Sequence, residues 1–279
     1  MYIKCWGSRG SIPVSGQQFR RYGGDTTCME IRSKNGDIIV VDAGSGIRAL
    51  GNKLVQEKVK HFTMLFTHAH WDHILGFPFF HPVYQKGVTI SIKGCPFNLA
   101  SYREILRGLM SPPYFPVGLE AIKAKLQFSS INQRAFRIGS IKVRPIFISH
   151  PNGGLGFRFE EGKKSFVFLT DNELGYIHDM GLEFGAYVDF CNKTDLLIHD
   201  AEFDKRSYKL FRLFGHSQYT DAVDLAVKAE VGQFGLFHLN KESTDDTVDA
   251  MVKDAHKIIS KSQASVRCFA VGNRFEISL

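Results

Sequence analysis

Cysteine is scarce and scattered. The five in the chain, Cys5, Cys28, Cys95, Cys191 and Cys268, include no CxxC pair. An odd, dispersed set excludes a disulfide scaffold and argues for reduced thiols in a cytoplasmic protein, buried as small apolar side chains. Long apolar runs are missing too. Nothing approaches the roughly 18 residues that a membrane helix needs, and the opening "MYIKCWGSRG" lacks the apolar stretch of a secretory signal. A soluble protein with no membrane partner is expected. No low-complexity tract, internal repeat or linker interrupts the 279 residues, so they read as one domain, 1–279, long enough to bury a sizeable core. Histidine is rare as well, at 11 positions.

Basic residues outnumber acidic ones, giving a net charge of +7, which favours anionic partners in a general way. The cations are spread along the chain apart from a mild cluster in "KRSYKLFR", residues 205–212. Strand-like runs come early: "YIKCW", "TCMEIRS", "DIIVVDA" and "HFTMLFTHA". The apolar, β-branched "IIVVDAG" stops at Asp42 and glycine, as a buried strand feeding a loop does. Residues 46–59 place Ile47, Leu50, Leu54 and Val55 on one helical face. A less regular stretch, 81–135, holds "VTISIKG", the helix-like "NLASYREILRGLM" and the proline-rich "SPPYFPVG". It is the expected lid or pocket wall, with Tyr114 and Phe115 as candidate stacking groups. Beyond it, strands alternate with helices near 181–192, 219–230 and 244–261, and "EEGKK" reads as a hairpin turn. Two β-rich halves with helices outside predict a layered α/β sandwich. Glycines 7, 10, 16, 23 and 24 read as turns between strands.

Three of the rare histidines stand together in "THAHWDHILG", residues 67–76. His68 and His70 share a face if the segment is extended, because strand side chains repeat every two residues. If a helix begins near 71, Asp72 and His73 turn toward a second centre. Imidazoles and a carboxylate are the donors that a zinc or manganese site takes. Three further residues stand at or near strand ends: His150 closes "IFISH", Asp171 closes "FVFLTD", and His238 lies in "GLFHL".

"THAHWDH" resembles the HxHxDH signature of the metallo-β-lactamase superfamily. That resemblance implies a four-layer αββα sandwich with two divalent metal ions at one edge of the sheets. It assigns His68, His70 and His150 to one ion and Asp72, His73 and His238 to the other, with Asp171 bridging. "GHSQYTDAVDLA" resembles the GHS motif of the RNase Z-like branch, in which the histidine, here His216, helps to protonate the leaving group. The opening segments "WGSRGSIPVSG", "RYGGDTTCMEI" and "VVDAGSGIRALG" resemble bacterial hydrolases of that branch, which includes cyclic-phosphate and cyclic-nucleotide phosphodiesterases. The resemblance allows a homodimer. Zinc, manganese or iron would suit the donors. Asp42, His199 and Asp200 read as neighbours of the site and not as ligands.

The implied activity is hydrolysis of a small anionic phosphodiester, with Asp72 and His216 handling protons. In tRNA-processing members of the branch a long arm lies between the third metal histidine and the bridging aspartate. Only 20 residues separate His150 from Asp171 here, which disfavours a nucleic-acid substrate of that kind. The alternatives are an RNA 3′-processing nuclease, a lactonase or other non-phosphate hydrolase, and a metal-free scaffold. All seven candidate ligands are in place, which argues against the scaffold.

Overall fold

Ile38–Val41 is buried along its whole length because it lies inside a sheet covered on both faces. Val40 turns toward one apolar layer, while Ile39 and Val41 turn toward another. The same alternation recurs at Met64 and Leu65, and at Leu197 and Ile198. Strands buried on both faces carry continuous apolar runs, which is the pattern that the sequence shows. The computed structural model describes residues 1–95 and 100–279. Asn98 and Leu99, at the start of the helix-like 98–110 segment, lie outside the described residues.

In chain order the strands are β1 (Tyr2–Gly7), β2 (Cys28–Arg32), β3 (Ile38–Val41), β4 (His61–Leu65), β5 (Thr89–Gly94), β6 (Lys125–Ser130), β7 (Phe136–Ile138), β8 (Ile141–Phe147), β9 (Leu155–Glu161), β10 (Lys164–Leu169), β11 (Leu196–Asp200), β12 (Gln233–Phe237), β13 (Arg267–Ala270) and β14 (Glu276–Ser278). The helices are α1 (Ile47–Gln56), α2 (Trp71–Ile74), α3 (Tyr102–Leu109), α4 (Phe184–Cys191), α5 (Lys205–Phe211), α6 (Tyr219–Lys228) and α7 (Asp245–Lys261).

Two seven-stranded sheets result, ordered β14-β1-β2-β3-β4-β5-β6 and β13-β12-β11-β10-β9-β8-β7. In the first, β14 to β3 run antiparallel and β3 to β6 parallel. The second repeats the plan, antiparallel from β7 to β10 and parallel from β10 to β13. The last strand crosses back to pair with the first, and Leu279 N–H donates to the Met1 carbonyl at 2.9 Å.

Helices α1 and α3 cover the outer face of the first sheet through Ile47, Leu50, Leu54 and Leu106. Helices α4, α6 and α7 cover the second through Tyr187, Val223, Leu225 and Ile259. Between the sheets, Phe157, Phe159, Phe166, Phe168 and Phe237 are fully buried, each contributing roughly 1.5–3 kcal/mol of apolar burial. This is the αββα order expected from sequence.

The stretch 81–135 is more regular than its sequence suggests. Its strands β5 and β6 extend the parallel part of the first sheet, and the described residues 101–124 between them carry α3 and a 3-10 turn. There Ser101 caps α3 in a reciprocal capping box with Glu104. Phe115 packs edge-on against Phe79, with ring centroids 5.6 Å apart, while Tyr114 is exposed. The helix expected from residue 71 lasts a single turn and gives way to a 3-10 turn at Phe77–Phe79. The "EEGKK" hairpin forms as expected, with Glu161 facing Lys164 and Gly162 in the left-handed region.

Candidate metal centre

The parallel halves of the two sheets point their carboxyl ends the same way, and the candidate residues gather there, at the edge where ligands enter open α/β sheets. From the first sheet comes one loop, Thr67–His73, beyond β4. Asp42, past the end of β3, accepts from Thr67 N–H at 2.8 Å, from Thr67 Oγ1 at 2.7 Å and from His73 Nδ1 at 2.9 Å. These three bonds fix the loop and leave His73 Nε2 facing inward. The chain is extended at His70 and helical from Trp71, so Trp71 points to solvent while Asp72 and His73 are buried.

From the second sheet the residues arrive one strand at a time. His150 follows β8, Asp171 follows β10, Asp200 ends β11, and His238 follows β12. His216 lies just before α6. Three non-glycine residues at these ends, Asp42, Asp171 and His238, have φ between 52° and 63°. Asp and His tolerate that region better than most side chains, and each such turn stores on the order of 1–3 kcal/mol.

Two donor groups form. In one, ligand atoms of His68, His70 and His150 all lie within 4.8 Å of one another, and in the other those of Asp72, His73, Asp171 and His238 do. Asp171 faces both: Oδ2 is 3.4 Å from His68 Nε2 and 3.4 Å from His238 Nε2, and Oδ1 is 3.2 Å from His73 Nε2. All the donors are nitrogen or carboxylate oxygen, a set that suits zinc, manganese or iron. His73 Nε2 is buried and makes no hydrogen bond among the described residues, while Asp72 Oδ2 and Asp171 Oδ1 stand 3.4 and 3.2 Å away. A cation between them would satisfy all three atoms, so the residues fit the metals that the motif implies.

Neighbouring groups set the ring tautomers. His150 Nδ1–H donates to the Gly215 carbonyl at 2.9 Å, which leaves Nε2 for the centre. His238 Nδ1 lies 3.2 Å from Glu202 Oε2, and His216 Nδ1 lies 2.8 Å from Asp200 Oδ2. Burial disfavours charge throughout. It pushes His68 down to about 3, with the neighbouring His73 adding to the effect. At His216 burial acts the same way, but the Glu202 and Asp200 carboxylates outweigh it and hold the ring up at about 9. At Asp72 burial is overcome by His73 and His238, which keep the carboxyl well below its usual range.

All seven sequence-derived metal candidates and His216 converge on this edge. His216 falls in a third group with Asp171, Asp200 and His238. His199 holds Asn172 Nδ2 at 3.1 Å and the Asp200 carbonyl at 2.7 Å, a supporting place beside the site. Of the N-terminal glycines read as turns, Gly7 instead ends β1, and Gly10 also has a packing role. A Cβ there would stand 2.3 Å from His238 Nδ1, and one on Gly215 would stand 2.0 Å from His150 Nδ1. Both sites require bare backbone against a ring. Two buried carboxylates escape the sequence reading, Glu173 and Glu202.

The family described as Beta-lactamase superfamily domain matches residues 38–239. A ribonuclease Z of Sulfolobus acidocaldarius is 22% identical over 82% of this chain and 87% of its own length. Among solved structures, the metallo-beta-lactamase fold protein YhfI of Bacillus subtilis superposes with a TM-score of 0.71 at 18% identity, covering 99% of this chain and 98% of that one. A diphosphatase from the PhnP family superposes with a TM-score of 0.68 at 17% identity, covering 100% and 97%.

Proposed function

The chain belongs to the beta-lactamase superfamily and is a hydrolase, and from that premise we propose that it is a dinuclear metal phosphodiesterase acting on a small phosphodiester, cyclic nucleotides and cyclic phosphates included. The observation that carries the reading is Asp171, whose two carboxylate oxygens address His68 and His238 on one side and His73 on the other. His68, His70 and His150 would hold one ion, Asp72, His73 and His238 the other, and Asp171 both. Bound there, such a pair supplies positive charge for the phosphoryl oxygens and lowers the pKa of a shared water.

The chain's own groups do the rest. Asp72 Oδ2 accepts from Ser11 N–H at 2.8 Å, which orients it toward the centre as a proton acceptor. His216 stacks on His238, with ring centroids 4.6 Å apart, and is held through Nδ1 by Asp200. Its proton can be passed to a departing alkoxide. Beside the entrance, His150 and Asp171 are joined by the β9–β10 hairpin alone. That short connection favours a compact substrate over a folded tRNA. The ribonuclease Z relatives support RNA 3′ processing as the second reading.

The test is hydrolysis by purified protein with added Mn²⁺ or Zn²⁺. The panel holds bis-p-nitrophenyl phosphate, 2′,3′- and 3′,5′-cyclic nucleotides, a cyclic phosphoribose and a precursor tRNA, with p-nitrophenyl acetate and a β-lactam as controls. Chelator-sensitive turnover of a cyclic or model phosphodiester supports the proposal. Activity confined to the ester or lactam overturns it, and cleavage of the precursor tRNA alone establishes the second reading.

A further inference from the structure

Seven of the thirteen exposed large hydrophobic side chains among the described residues lie in two short segments, 176–180 and 210–214. Tyr176, Ile177 and Met180 stand on one, and Leu210, Phe211, Leu213 and Phe214 on the other. The buried Glu173 carboxylate ties the two together. It accepts from His178 Nε2 at 2.8 Å, Tyr208 OH at 2.9 Å, Leu213 N–H at 3.0 Å and Gly215 N–H at 2.9 Å. Ser149, next to His150, accepts from His178 N–H at 2.9 Å and donates to the Tyr176 carbonyl at 2.6 Å. The patch is thus fastened to the rim of the metal centre.

A file of rings leads out from that centre. His216 meets Phe203 at 6.0 Å, Phe203 stacks on Phe211 at 5.5 Å, and Phe211 meets Phe214 at 5.8 Å, where 63% of Phe214 is exposed. Lys205, Arg206, Lys209 and Arg212 are interleaved with these apolar residues, and none forms an ion pair among the described residues. Arg212 lies over the Tyr176 ring at 5.6 Å. The acids nearby are few: Asp204 caps α5 through Ser207 N–H, and Asp179 stands in the other segment.

We propose that this rim is a binding platform for a short single strand of nucleotides, with bases stacked on Phe214 and Tyr176 and phosphates on Lys209 and Arg212. Exposed rings interleaved with unpaired cations beside a phosphodiester centre are what single-strand binding uses. A second copy of the chain is disfavoured as occupant, since an isologous contact would set these cations against themselves. The proposal rests on the phosphodiesterase reading and widens the substrates of the same site from small phosphodiesters to short oligonucleotides.

The test measures anisotropy of a short fluorescein-labelled single strand with cleavage-resistant phosphorothioate linkages, bound to the metal-loaded chain. Wild type should bind, less tightly as salt rises. Phe214→Ala should weaken binding on the order of tenfold, and Arg212→Ala should reduce the salt slope by about one. Unchanged strand binding in both variants overturns the proposal. So does stronger wild-type binding to anionic phosphatidylserine vesicles, or a wild-type dimer that Phe214→Ala dissociates. Intact, variant-sensitive strand binding without bis-p-nitrophenyl phosphate turnover would support the platform and sink the phosphodiesterase reading.

Discussion

The two sheets repeat one plan, yet they furnish the centre in different ways. The first delivers His68, His70, Asp72 and His73 from a single loop, and one carboxylate, Asp42, holds that loop through Thr67 and His73. The second delivers His150, Asp171, His216 and His238 from separate places, each with a hydrogen-bond partner: Gly215 for His150, Thr170 for Asp171, Asp200 for His216, Glu202 for His238. On the first side one carboxylate thus serves Thr67 and His73 together, and damage to it should spread to both donor groups. On the other side damage should stay with one residue.

The comparison can be broken at its strongest point by Asp42→Ala. That change leaves Thr67 N–H, Thr67 Oγ1 and His73 Nδ1 without their buried acceptor. A loss of about 3–5 kcal/mol is expected, with metal lost from both groups. Denaturant unfolding and metal content per chain measure it, and an effect confined to one ion would show that Asp42 serves one donor group alone. Next comes Asp171→Ala. It should fold, keep at most one tightly held ion and turn over almost nothing, since Asp171 faces both groups. Full activity would end the dinuclear reading. His216→Ala should keep normal metal content with turnover lowered roughly 100-fold. Loss of metal in that variant would make His216 a ligand and the third donor group real. The smallest effect belongs to Glu202→Gln, which should weaken one ion of the two by about tenfold, seen as a biphasic metal titration. Equal weakening of both ions would erase the contrast between the sheets.

The same contrast explains what could be read from sequence. Four groups inside six positions make a motif that spacing alone reveals, and strand-then-helix geometry at His70 and Trp71 follows from it. His150, Asp171 and His238 were legible as strand ends in a given order, because burial on both faces leaves an apolar run that stops where the loop begins. Glu173 and Glu202 were not. Each stands two residues past an aspartate of the site, Asp171 and Asp200, and so could have been sought by carrying the two-residue repeat beyond the strand. What hid them is that their partners, Gly215 and His238, are distant in sequence. The glycines at 10 and 215 were hidden for the same reason, since the rings they accommodate belong to other strands. Regularity in 81–135 was obscured by its prolines, which cluster in the connection and leave β5 and β6 intact.

The return of β14 to β1 brings the ends of the chain together, with Met1 N and the Leu279 carbonyl 3.4 Å apart. A chain whose ends touch is topologically a ring that happens to be cut there, and a ring can be cut elsewhere. Residues 132–135, exposed between β6 and β7, offer a second opening. Joined across its present ends and opened at that point, the chain would be synthesised with the whole second sheet ahead of the first. The His68 loop, now the first of the donor segments to be made, would become the last, with every contact at the centre the same.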